Sequence, residues 1–271
     1  MLLRISHVTK YNYDQPVDYG LQQVRLTPKS TRAQTVLQWS TTVDGGKREL
    51  GFEDHNRNTV ELFSFEPGAQ SLVVRAEGLV QLSNTHGVVG PHEGHTPLWL
   101  FQRDTPQTKA GKACRDLAKL ATGETDLGLL HDLSARVLAA VRYETGATNS
   151  TSSAEEVLAA GKGVCQDHAH VFIACARHLG FPSRYVSGYL MMQDNEEQEA
   201  THAWAEVHVD ALGWVGFDVP NEISPDEKYV RVATGLDYSE AAPVSGHLYG
   251  STAENLTVSL TVSSQQQSQS Q

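Results

Sequence analysis

The sequence predicts an α+β protein, with an antiparallel, sandwich-like β region first and then helices packed on a second antiparallel sheet. Three observations carry this. Apolar residues alternate at period two through most of the first hundred positions, the spacing turns helical from about residue 105, and period-two segments return after residue 182.

In LRISHVTKYNY, residues Leu3, Ile5, His7, Thr9, Tyr11 and Tyr13 fall on one face of a strand. TVLQWSTTV, TVELFSF and SLVVRAEGLVQL follow, divided by the turn-rich pieces DGGKRE, DHNRN and EPGAQ. Short strands at that spacing suit a sandwich. No titratable cluster lies within them, so the region reads as a structural or substrate-presenting module. The glycine- and proline-rich THGVVGPHEGHTP, residues 85–97, reads as a boundary loop. The expected division is a β domain at 1–100, a second domain at 101–262 and a disordered Gln/Ser tail at 263–271.

Two helices are expected in TKAGKACRDLAKLATG and DLGLLHDLSARVLAAVRYE, the second with Leu129, Leu130, Leu133, Val137, Leu138 and Val141 in one stripe. Ser152-Ser153-Ala154-Glu155-Glu156 offers a capping box in either of two registers, and Gly161 is placed to end that helix. A fourth helix starts at Cys165, with Ala169, Phe172, Ile173, Ala176 and Leu179 as its apolar face. Gly180 and Pro182 stop it. SRYVSGYLMM, HAWAEVHVD, GWVGFDV and YVRVATG read as strands, and LTVSLTV (256–262) fits either sheet.

Bulk composition excludes several function classes. A net charge of −11 disfavours nonspecific binding to nucleic acid or anionic membrane. The N-terminus lacks the apolar run of a signal peptide, and no spanning segment follows. Cys114, Cys165 and Cys175 are odd in number and far apart, which argues for a reducing compartment, with the cytoplasm expected. No metal or other cofactor is expected: His86, His92 and His95 supply too few ligands for a structural zinc site and read as surface residues.

The chemistry is concentrated in GKGVCQDHAH. A cysteine at a helix start sits among amides without intrahelical partners and in the positive potential of the dipole, so its anion is favoured. The same amides can donate to an oxyanion. Gly163 lets a substrate approach, while Gln166 reads equally as an oxyanion donor or a turn cap. Cys114 and Cys175 read as small buried hydrophobes.

A thiolate enzyme needs a base. In His202–Asp210, Ala203, Ala205, Val207 and Val209 face a core and His202, Trp204, Glu206, His208 and Asp210 line the other side. The next strand puts Asp218 opposite Val215, Phe217 and Val219. If the two form a hairpin, His202 and Asp218 share a face only when the loop has an odd number of residues; a loop of 210–212 makes them diagonal neighbours. Trp204 and Trp214 read either as cleft walls or as ordinary packing. His168 and His170 rank below His202 as bases because a side chain on the cysteine's own helix points away from the sulfur. Asp167 reads as a residue that bonds backbone or complements the dipole.

These segments, GVCQDHAHVFIACARHLGFPSRYVSGYL, THAWAEVHVDALGWVGFDVPN and VRVATGLDYSEAAPVSG, resemble the bacterial branch of the transglutaminase-like superfamily. LRISHVTKYNYDQPV resembles the N-terminal module of that branch. The resemblance implies a papain-like core with Cys165 as nucleophile, His202 as base and Asp218 as its orienter. The sequence departs from the family at DHNRN, where a glycine usually precedes the asparagine, and at His168, a position often aromatic. The expected activity is hydrolysis of an amide or peptide bond, acting on a peptide, protein or small amide. Transfer of the acyl group to an amine and a non-catalytic peptide-binding module are the alternatives.

Overall fold

The computed structural model describes residues 1–192, 197–198, 200–249 and 254–265. The N-terminal region forms β1 (Leu2–Val17), β2 (Tyr19–Thr27), β3 (Gln34–Asp44), β4 (Gly46–Glu53), β5 (Thr59–Phe65), β6 (Ala69–Leu82) and the short β7 (Val88–Gly90). Then come α1 (Lys112–Ala118), α2 (Asp126–Ala140), β8 (Arg142–Tyr143), α3 (Ala154–Ala160), β9 (Lys162–Gly163) and α4 (Cys165–His178). The chain continues with β10 (Ser183–Leu190), β11 (Glu197–Gln198), β12 (His202–Val209), β13 (Gly213–Phe217), β14 (Tyr229–Gly235), α5 (Tyr238–Ala241), β15 (Val244–Tyr249) and β16 (Glu254–Ser264). The protein is α+β, with antiparallel sheets ordered β11-β16-β1-β6-β3, β15-β2-β5-β4 and β14-β10-β12-β13-β7.

The alternation in β1 holds along its length, and Leu3, Ile5, His7, Thr9, Tyr11 and Tyr13 are all buried. Sixteen residues extend about 50 Å, long enough for one face to serve two cores. Tyr11 and Tyr13 join Val24, Phe63 and Phe65 of the second sheet, while Leu3 and Ile5 join the core beneath the helices.

Strand pairing crosses the expected boundary at residue 100 in both directions. Val88–Gly90, read as part of a loop, extends the third sheet beside β13. β15 pairs with β2, and β16 pairs with β1 from Leu3↔Ser264 to Tyr13↔Glu254, so LTVSLTV belongs to the first sheet. Ser263 and Ser264 lie in that strand, two residues into the expected tail; residues 266–271 of the tail lie outside the described residues.

The capping box at α3 takes the Ser153/Glu156 register, and Gly161 ends the helix at φ 66°. Helix α4 departs from expectation. Instead of one apolar face it is buried all round from Asp167 to Arg177, packed among α1, α2, α3 and β12. Its polar side chains therefore need internal partners. Arg177 has them: its guanidinium donates to the carbonyls of Phe101, Ser183 and Leu236 and to the Thr108 hydroxyl.

Candidate active site

Cys165 is the first residue of α4 and is partly exposed, whereas Cys114 and Cys175 are fully buried. The turn before it is set by Asp167, whose carboxylate accepts from the Val164 amide at 2.7 Å and the Thr148 hydroxyl at 2.6 Å. Gly163 is needed for that cap: a Cβ there would stand 2.6 Å from the Asp167 Cβ. It does not line the cavity beside the sulfur, so its role is to admit Asp167 and not a substrate. Gln166 does line the cavity, with its amide donating to the Ser150 carbonyl at 3.2 Å.

The hairpin has the odd loop. Val209 pairs with Gly213 across residues 210–212, and Ala205 pairs with Phe217. That register makes His202 and Asp218 diagonal neighbours, and the His202 Nε2 lies 2.6 Å from Asp218 Oδ2. The remaining ring nitrogen, Nδ1, is left for the sulfur: Cys165 and His202 line one cavity, and the thiol is among the groups that raise the imidazole's affinity for a proton. Burial alone lowers the affinity of His202 for a proton. The hydrogen bonds and charges of Asp218 and Cys165 outweigh it and hold the imidazole at about 10, so the ring is cationic at neutral pH.

Asp218 Oδ2 also accepts from the Tyr229 hydroxyl at 2.6 Å and the Asn221 amide at 2.7 Å, while its Oδ1 is buried without a partner. Sequence reasoning missed both donors. Asn221 in DVPN stands only three residues after Asp218, a short-range signal that was readable; Tyr229 is brought in by pairing through β10 and β14 and was not.

The two tryptophans are not cleft walls. Trp204 packs behind His202 with Val186, Leu190 and Tyr229, and Trp214 packs with Phe101 and Leu236; neither lines the cavity. Both sit on a strand face covered by other parts of the chain, where large aromatics fill space. Glu206, expected on an open polar side, is buried and ion-paired with Arg184 and Arg231.

His168, at a position often aromatic in the family, is fully buried and does not line the cavity. Its Nδ1 and Nε2 lie 2.8 Å from the carbonyls of Val164 and Val141. His170 accepts from the Tyr238 amide at 3.1 Å, and burial pulls its imidazole down to about 4. Asp237 caps α5 through the Ser239 amide, which sets Tyr238 against the cavity. His86 and His95 are exposed, but His92 is half-buried and accepts from the Trp214 indole at 3.1 Å.

The cavity measures about 890 Å³ and is lined by Cys165, Gln166, Tyr143, Tyr185, His202 and Tyr238, among others. That is the upper part of the range for small-molecule sites. Among the described residues, no helix is long and apolar enough to cross a membrane.

Comparison with known proteins agrees with this architecture. The family profile of the transglutaminase-like superfamily matches residues 112–219, and that of the bacterial transglutaminase-like N-terminal region matches residues 3–81. The chain belongs to the bacterial form of the transglutaminase-like superfamily. An uncharacterized protein of Mycobacterium tuberculosis is 28% identical over 286 residues, covering 96% of this chain and 91% of its own. A Mycobacterium leprae counterpart is 27% identical, covering 94% and 96%. The crystal structure of a "putative cysteine protease" from Cytophaga hutchinsonii superposes with a TM-score of 0.76 at 22% identity, over 98% of this chain and 92% of the other, and so shares the fold.

Proposed function

We propose that the protein hydrolyses an amide or peptide bond through a thioester on Cys165. The observation that carries this reading is a thiol on the first residue of a helix, sharing one cavity with an imidazole whose far nitrogen is 2.6 Å from a buried carboxylate. A cationic imidazole beside the sulfur favours the thiolate. The sulfur attacks the carbonyl carbon, and the oxyanion is met by the first-turn amides of α4, which lack intrahelical acceptors. His202 gives its proton to the departing amine as the C–N bond breaks. It then takes a proton from water, which attacks the thioester and leaves a carboxylic acid and the free thiol. Asp218 holds the ring in position throughout. Three unpaired cysteines suit a reducing compartment such as the cytoplasm.

The test is mass spectrometry of a peptide and amide library incubated with the enzyme, with a labelled primary amine present and Cys165→Ala as the blank. Hydrolysis predicts free carboxylates, no label, and a loss of at least about 10⁴-fold in the variant. Label incorporation would replace hydrolysis with amine transfer. No turnover of any kind, together with sluggish alkylation of Cys165 by iodoacetamide at pH 6, would favour a binding module.

A further inference from the structure

A second cavity, of about 390 Å³, opens where loops of the N-terminal region meet the third sheet, and it shares no lining residue with the thiol cavity. Lys29, Arg32, Arg57, Arg184 and Arg231 all line it. In a chain of net charge −11 this gathering of cations runs against the general charge.

Two of the guanidiniums are fixed from behind. Glu206 accepts from Arg184 Nε at 2.6 Å and from Arg231 Nε at 2.8 Å, and the Arg184 guanidinium lies 3.8 Å from the centre of the Trp214 ring. An arginine held along one edge keeps its other N–H groups for a ligand, with little further ordering on binding. Lys29 donates to the Asn56 carbonyl at 3.2 Å. Arg57 has a φ of 61°, a conformation that L side chains adopt at a cost and that glycine adopts freely. A cationic side chain kept at that cost on the rim of a cationic cavity points to use.

Against the five cations stand three carboxylates: Glu206 behind, Glu93 in the wall at 3.4 Å from Arg57, and Glu53 at 3.8 Å from Arg57. Asp54 is engaged by Arg25 at 3.7 Å. With Lys29 protonated the surplus is two positive charges, which suits a multiply charged anion better than a single carboxylate, and forked guanidinium donors match tetrahedral phosphate oxygens.

We infer that this cavity binds a small phosphate-bearing anion. Burial and the neighbouring Arg231 pull the Lys29 ammonium down to about 7; Asp54 and Glu53 oppose this and Arg57 adds to it. A bound anion restores that proton, so the ratio of affinity at pH 6 to affinity at pH 8 is higher in the wild type than in Lys29→Met, the anion's own titration being common to both.

Isothermal titration with pyrophosphate at constant ionic strength tests this. One saturable site is expected, at least tenfold weaker in Arg57→Gly and in Arg32→Ala with unlowered melting temperatures, and with a lower pH 6 to pH 8 affinity ratio in Lys29→Met. Arg57→Gly relieves the strained φ, so weaker binding there does not come from unfolding. Absence of saturable binding, equal affinity for succinate, or affinities unchanged in all three variants would overturn the assignment.

Discussion

Asp218 concentrates three donors on one oxygen: His202, Tyr229 and Asn221 all reach Oδ2, and Oδ1 has no partner. Its charge is one of the factors that hold the imidazole of His202 up near 10. Asp218→Asn keeps the shape and removes that charge, so the ring loses its proton at lower pH. The expected result is a fall in turnover of about 10²–10⁴-fold. The rate of Cys165 alkylation should also change form, with the transition assigned to His202 moving down by more than about one pH unit. A profile unmoved in the variant would mean that the carboxylate does not govern this imidazole. Tyr229→Phe is the control, because it removes a donor but leaves the charge.

At the level of elements, one buried carboxylate ties β12 to the two strands that lie on one side of it. Glu206 pairs with Arg184 of β10 and Arg231 of β14, all three largely removed from water. Glu206→Gln leaves two guanidiniums buried with no counter-charge, and the expected cost is about 3–5 kcal/mol, measured by urea unfolding. A loss below about 1 kcal/mol would show that the arginines find other partners or water. This triad also marks where sequence reading stopped. The alternation in HAWAEVHVD and GWVGFDV was enough to fix the hairpin parity and bring His202 to Asp218, because one face had to meet the helices. It said nothing of what covers the other face. Part of the cover comes from residues near 29–34, about 170 positions away, where Gln34 bonds the Arg231 backbone, so the alternation alone left Trp204 and Trp214 between cleft wall and packing and gave no sign that Glu206 is buried. Helix α4 failed for the same reason: its apolar stripe was visible, but not the carbonyls that satisfy Arg177 and His168 from elsewhere in the chain.

For the whole molecule, buried groups with displaced protons make stability vary with pH. Burial lowers His7 and His170 from 6.5 to about 4 each and lowers His208 as well, so between these values the unfolded chain binds at least about two more protons than the native one. Stability therefore falls as pH drops from about 6.5 toward 4, by up to about 3 kcal/mol per histidine. Above neutrality one shift dominates. His202, raised to about 10, keeps a proton the unfolded chain has lost, but in the thiolate–imidazolium pair proposed above that proton is the one the sulfur has given up, so the pair adds little slope. Lys29, lowered to about 7, has lost a proton the unfolded chain still holds, which makes stability rise with pH. Between about pH 7 and 8 the wild-type stability is therefore expected to rise, and Lys29→Met should remove that rise, a change close to one proton in slope by urea unfolding at several pH values. Parallel curves for the wild type and the variant would mean that Lys29 is not displaced in the folded protein.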